Sequence, residues 1–201
     1  MFETLRAIKW NKTATLPLVG AVLMVFALFT PFVVSRGVED ISIASQSDVW
    51  YWGFYNGNGQ IGFLRMPFML NVIMSILILF FAILTLVLSI EHGINNLNRK
   101  LFGELIGIFS LFIYLSMTLT IGFIQYGFSL LPDLEKTFFG LNADFWAYRK
   151  GSFGYYGVIA AMAIIIIGSI ISLRKSRKSF FYIEITAFIL WLFIMPIGMI
   201  Y

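Results

Sequence analysis

Apolar residues in this chain come in long runs and seldom alternate with polar ones. The runs cover residues 16–34, 66–90, 105–131, 154–173 and 180–201. Each reaches roughly the 20 residues that carry an α-helix across about 30 Å of hydrocarbon. Backbone N–H and C=O groups in lipid need partners within their own segment, so helices are the expected form. The short alternating segments of a transmembrane β-barrel do not occur in these runs. The pattern therefore predicts an all-α transmembrane helical bundle of five spans, forming one integral membrane domain over residues 1–201. The first run follows Arg6, Lys9 and Lys12, as a signal peptide would. It is longer than the roughly 7–15 apolar residues of such a peptide and lacks a small-residue cleavage site, so a retained span is expected.

Two loops, 35–65 and 132–153, are long enough to fold outside the membrane. The first holds Val38, Ile41 and Ile43 at the spacing of a short strand, followed by "SDVWYWGFYNGNGQIGF" at 47–63. Asn-Gly pairs tolerate the positive φ of tight hairpin turns. Trp50, Trp52 and Phe54 alternate with Tyr51, Gly53 and Tyr55, which predicts a strand with a row of rings on one face. The expectation is a small extracytoplasmic β-hairpin capping the bundle. Trp50, Tyr51, Trp52, Phe54 and Tyr55 form a candidate interaction surface. Such rings suit the headgroup level of a membrane, a partner surface, or a platform for a carbohydrate or other ligand. In the second loop, "FWAY" followed by "RKG" reads as an interfacial anchor leading into the fourth run.

A short inner N-terminal segment, a β-forming first outer loop with "WYWGFY", and a shorter second outer loop together resemble claudin-type four-span proteins. The resemblance implies a four-span layout. The chain departs from that pattern in having no Cys pair and a fifth apolar run, and no functional residue is carried over.

Composition agrees with a lipid environment. Of 201 residues, 60% are hydrophobic and only 12% charged, about half the charged share of soluble domains. The net charge of +4 raises the question of nucleic acid. However, the basic residues fall in short clusters between apolar runs, and no motif that reads RNA or DNA accompanies them. With no Cys and a single His, His92, thiolate sites, bis-His haem and multi-His metal sites are excluded within one chain. With the N-terminus inside, nine of the 14 Lys and Arg fall on inner segments: Arg6, Lys9, Lys12, Arg99, Lys100, Arg174, Lys175, Arg177 and Lys178. That bias predicts a cell-membrane protein with a cytoplasmic N-terminus and, after five crossings, an extracytoplasmic C-terminus. The "NKT" sequon at Asn11–Thr13 then lies inside and goes unused.

The third run carries the most informative face. At about 100° per residue, Gly103, Gly107, Ser110, Tyr114, Thr118, Gly122 and Gln125 share one sector. Small residues let helix backbones approach, and hydroxyls or amides hydrogen-bond across the seam. This stripe is a candidate helix-packing face or, alternatively, a polar path for a solute. The fourth run shows Gly154, Gly157, Ala161, Gly168 and Ser172, and the first shows Gly20, Ala27 and Pro31, so these three spans are expected to meet. No ionisable residue lies in the middle of a run, which speaks against proton- or ion-coupled transport. Glu91, His92, Glu104 and Glu184 gather at the inner boundary, where ion pairing with Arg99, Lys100, Arg174 and Lys175 is the expected role. No phosphate-binding loop, HExxH, GxSxG or EF-hand pattern occurs. The reading is a non-enzymatic polytopic membrane protein with no catalytic, metal or cofactor site. It acts as a structural or accessory subunit, associating with other membrane subunits or copies of itself. The alternatives are a transport or channel component for a neutral solute and a membrane enzyme subunit with its site at the inner boundary.

Overall fold

The structure is a computed structural model that describes residues 10–35, 48–57, 60–64, 68–128 and 149–173, with the backbone alone over 125–128. Four helices form the body: α1 (Thr15–Leu28), α2 (Phe68–Asn95), α3 (Arg99–Phe128) and α4 (Phe153–Leu173). They are arranged as a ring in which α1 packs on α4 and α2, and α3 packs on α2 and α4. Neighbours run antiparallel, and α1 and α3 stand on the diagonal. Of the three helices expected to meet, α4 therefore touches both others, while α1 and α3 share at most slight contact.

The five-span bundle with a hairpin cap does not describe this fold. Three helices, α2, α3 and α4, are long and apolar enough to cross a membrane. The first run falls short because Thr30 and Pro31 stop its helix at Leu28. Its 14 residues rise only about 21 Å at 1.5 Å each. The remainder of that run turns into a strand. Residues 180–201, the expected fifth span, lie outside the described residues.

The cap is an open five-stranded antiparallel sheet drawn from both loops. Its strands are β1 (Val33–Ser35), β2 (Asp48–Val49), β3 (Phe54–Gly57), β4 (Gln60–Phe63) and β5 (Arg149–Gly151), in the order β4-β3-β2-β1-β5. Val33, Val34 and Ser35 pair with Gly151, Lys150 and Arg149, so the second loop completes the sheet begun by the first. Gly57 pairs with Gln60 at the end of the β3–β4 ladder. The stretch 50–53 is not strand. Gly53 N–H donates to the Trp50 carbonyl at 3.1 Å, Trp50 N–H donates to the Phe54 carbonyl at 3.0 Å, and Gly53 has φ +83. This is a tight turn closed by a left-handed residue, a conformation that glycine adopts without penalty. The strand-like row of rings is thus broken, and Trp50 and Phe54 stack at 4.8 Å across the turn.

Packing is inverted relative to a soluble bundle. α2 turns Met69, Ile73, Ile76, Phe80, Ile83, Val87 and Ile90 outward. It buries Asn71, Ser75, Ile78, Ala82, Thr85, Ser89 and His92 at alternating spacings of four and three. Large apolar side chains facing out and small or hydroxyl groups facing in are what lipid solvent favours, since lipid tails give helices no hydrophobic reason to associate. The α1–α4 seam is the closest. A Cβ on Gly20 would lie 2.7 Å from Ile165 Cγ1, and one on Gly154 would collide with the Pro31 carbonyl.

Candidate functional site: an aromatic clasp and a polar seam

At the sheet end, the chain leaves α1 with backbone groups that need partners. Phe32 N–H donates to the Val49 carbonyl at 2.7 Å, and the Phe32 carbonyl accepts from Ser152 N–H at 3.2 Å. The Pro31 carbonyl accepts from Gly154 N–H at 3.2 Å and from the Ser152 hydroxyl. The first turn of α4 thereby satisfies donors that a helix N-terminus otherwise leaves open. Proline ends one helix while its carbonyl caps another.

Onto this junction the turn at 50–53 folds its rings. Trp52 Nε1–H donates to the Leu28 carbonyl at 2.9 Å, one of the acceptors left open at the end of α1, and its ring lies 5.6 Å from Phe29. Tyr51 is fully buried, 4.9 Å from Phe32, which in turn lies 5.5 Å from Tyr155. The Tyr51 hydroxyl donates to the Gly154 carbonyl over a long 3.4 Å, and its backbone carbonyl accepts from Ser75 Oγ at 3.0 Å. Burial holds the Tyr51 phenol well above its ordinary range, with Tyr155 adding to the effect. Two consecutive residues therefore fasten α1, α2 and α4 at once. Trp50, Phe54 and Tyr55 are only partly buried, and the Tyr55 ring covers Gly62 across the β3–β4 pair. Beneath Gly53, Asn71 is buried with neither side-chain amide atom partnered among the described residues. Arg149, buried in β5, is pushed down to about 10 by burial and stays cationic at neutral pH.

In the seam, Gly103, Gly107, Ser110 and Gly122 are buried, while Tyr114 and Thr118 are half-exposed. The side chain of Gln125 lies outside the described residues. Gly103 sits against Leu173 and Ser172, and its carbonyl accepts from Ser169 Oγ at 3.2 Å, a bond between α3 and α4. Most interior hydroxyls turn back to their own helix. Thr85 donates to the Phe81 carbonyl, Ser89 to Thr85, Ser110 to Gly107, Thr118 to Tyr114, Thr120 to Ser116 and Ser172 to Gly168. Between these groups the interior is lined by apolar side chains, with Met24, Ile78, Ile106, Ile113, Met117 and Ile165 fully buried. Sequence reasoning missed the buried α2 face. Ser75, Thr85 and Ser89, small and polar within a run of Ile, Leu and Phe, were the available signal.

The far end gathers the ionisable groups without converging them. Asn11 Oδ1 accepts from Thr13 N–H at 3.1 Å, which turns Nδ2 toward His92 Nε2 at 3.1 Å. Thr13 Oγ1 lies 2.9 Å from the same His92 nitrogen, so Asn11 and Thr13 together hold the ring. The imidazole stacks on Phe102 at 4.0 Å. Glu91 accepts from Asn95 Nδ2 at 2.6 Å, and Arg99 donates to the Ile171 carbonyl at 2.8 Å. Glu184 lies outside the described residues. Among the described residues, no three His, Asp or Glu side chains are grouped to hold a metal ion.

These features define a multi-spanning helical membrane protein with an aromatic cluster near one end and no obvious catalytic motif. No family model, curated protein or solved structure gives a significant match to the chain.

Proposed function

We propose that this chain is a non-enzymatic structural or accessory subunit of a membrane assembly, joining other membrane subunits or further copies of itself. One observation carries the reading: a sheet built from two loops is locked onto three helices by Tyr51 and Trp52, leaving Trp50, Phe54 and Tyr55 partly exposed on a braced surface. Aromatic residues on a preorganised surface suit partner contact, because little side-chain freedom is lost on binding. The small-residue seams supply the tight packing such a scaffold needs. A solute path along α3 gains no support from hydroxyls that donate to their own helix. The Lys and Arg bias supports a cytoplasmic N-terminus, with the sheet on the outer side in this reading.

The test is a Trp50→Ala, Phe54→Ala double variant purified from native membranes in mild detergent. Loss of co-purifying subunits or a smaller particle, with the monomer's helical signal intact, is the expected result. An unchanged particle with the same subunits would remove the aromatic cap from association.

A further inference from the structure

Among the described residues, β4 forms one edge of the sheet and carries apolar side chains that the bundle does not cover. In β4, Ile61 is 71% exposed and Phe63 58% exposed, two positions apart and therefore on one face of the strand. An edge strand of this kind in water is a hazard for pairing with another chain. Its position suggests a different neighbour. The Phe63 ring meets Phe68 edge-on at 5.0 Å, and Phe68 opens α2. From there Met69, Leu70, Ile73 and Ile76 continue the exposed apolar face along the helix. On the other helices, Phe26 and Phe29 at the end of α1, and Phe153 and Tyr156 at the start of α4, are also exposed at this end. Exposed aromatics thus stand at the ends of two helices on this side, and one of them, Tyr156, is of the type favoured where hydrocarbon gives way to headgroups.

We infer that β4 lies on the membrane, with Ile61 and Phe63 inserted at the boundary between headgroups and acyl chains. The lipid-facing belt of α2 then continues onto the sheet through the Phe68–Phe63 contact. The cap is held against the bilayer through this face of β4. Phe54 pairs with Phe63 and shares its face of the sheet, whereas Tyr55 pairs with Gly62 and lies on the other face, so the inserted surface adjoins the association surface at Phe54 and is read out separately by labels confined to β4.

The chain contains no Cys, so single cysteines report without background. Nitroxides at Ile61→Cys and Phe63→Cys, in the full chain in phosphatidylcholine–phosphatidylglycerol nanodiscs, are compared with Met69→Cys on α2 and Gln60→Cys in the same strand. Collision with oxygen above collision with a water-soluble nickel chelate at 61 and 63, as at 69 and unlike 60, is expected. Preference for the nickel chelate at both positions would overturn the proposal. So would dipolar broadening that disappears on dilution with unlabelled chain, since a second copy would then occupy the edge. Should a label disturb the fold, Ile61→Trp and Phe63→Trp in lipids brominated along the acyl chain give a second reading. Quenching above that of the unsubstituted chain supports insertion, and none above it contradicts insertion.

Discussion

At the scale of single residues, the turn at 50–53 derives its role from where two polar tips end up. Trp52 contributes an indole N–H to the end of α1, and a neutral hydrogen bond of this kind is worth about 0.5–1.5 kcal/mol. Trp52→Phe keeps a ring beside Phe29 and leaves the Leu28 carbonyl without that donor. Thermal unfolding in mild detergent, followed by circular dichroism, should show a loss of about 1 kcal/mol. Tyr51 contributes a buried phenol whose pKa is raised above the ordinary 10.0. The unfolded phenol ionises first, so this group's contribution is fully present below pH 10 and declines as pH rises toward the folded value. Tyr51→Phe should therefore flatten part of the fall in stability above pH 10 in a pH series of melting curves. An identical alkaline limb in both proteins would mean that the phenol is not buried. Neither role was legible beforehand. The five rings were visible in the sequence, but which of them turn inward depends on Gly53 taking φ +83, and a turn without Asn-Gly carries a weak signal.

At the scale of elements, the closeness of α1 and α4 decides how much the seam tolerates. A Cβ at Gly154 meets the Pro31 carbonyl, backbone that is fixed from both sides, whereas one at Gly157 lies 3.1 Å from the Ala27 methyl. Gly154→Ala should therefore cost about 1–3 kcal/mol of overpacking, and Gly157→Ala much less. Melting temperatures of the two variants in the same detergent rank them. Equal losses would mean that α4 can shift away from α1. The long apolar runs told of a multi-pass helical membrane protein because hydropathy over 20 residues is a coarse and robust signal. Element ends were less legible. Thr30 and Pro31 could have been read as stopping α1, since proline cannot continue a helix ladder. The α2–α3 connection turns on two Asn residues: Asn96 ends α2 at φ 50, and Asn98 caps α3 through its side chain at 3.0 Å from Lys100 N. The α2 interior face stayed hidden because its small polar residues are few among large apolar neighbours. The stripe read on α3 is buried at its small residues, Gly103, Gly107, Ser110 and Gly122, and half-exposed at the larger Tyr114 and Thr118.

At the scale of the whole molecule, the defining feature is a pairing that spans more than a hundred residues. β1 follows α1, β5 precedes α4, and their union closes the sheet over the bundle. No periodicity announces it. β5 is three residues long, Arg149, Lys150 and Gly151, and its charges read as an interfacial anchor. Only the folded bundle, by bringing the end of α1 beside the start of α4, makes the pair. The clasp, the capped helix ends and the braced aromatic surface all depend on that pairing. Cysteines placed at Val34 and Lys150, which lie opposite each other, test it directly in a chain with no other cysteine. With a protease site introduced between residues 129 and 148, oxidised membranes should yield two fragments held together until reductant is added. Fragments that separate without reductant would contradict the two-loop sheet.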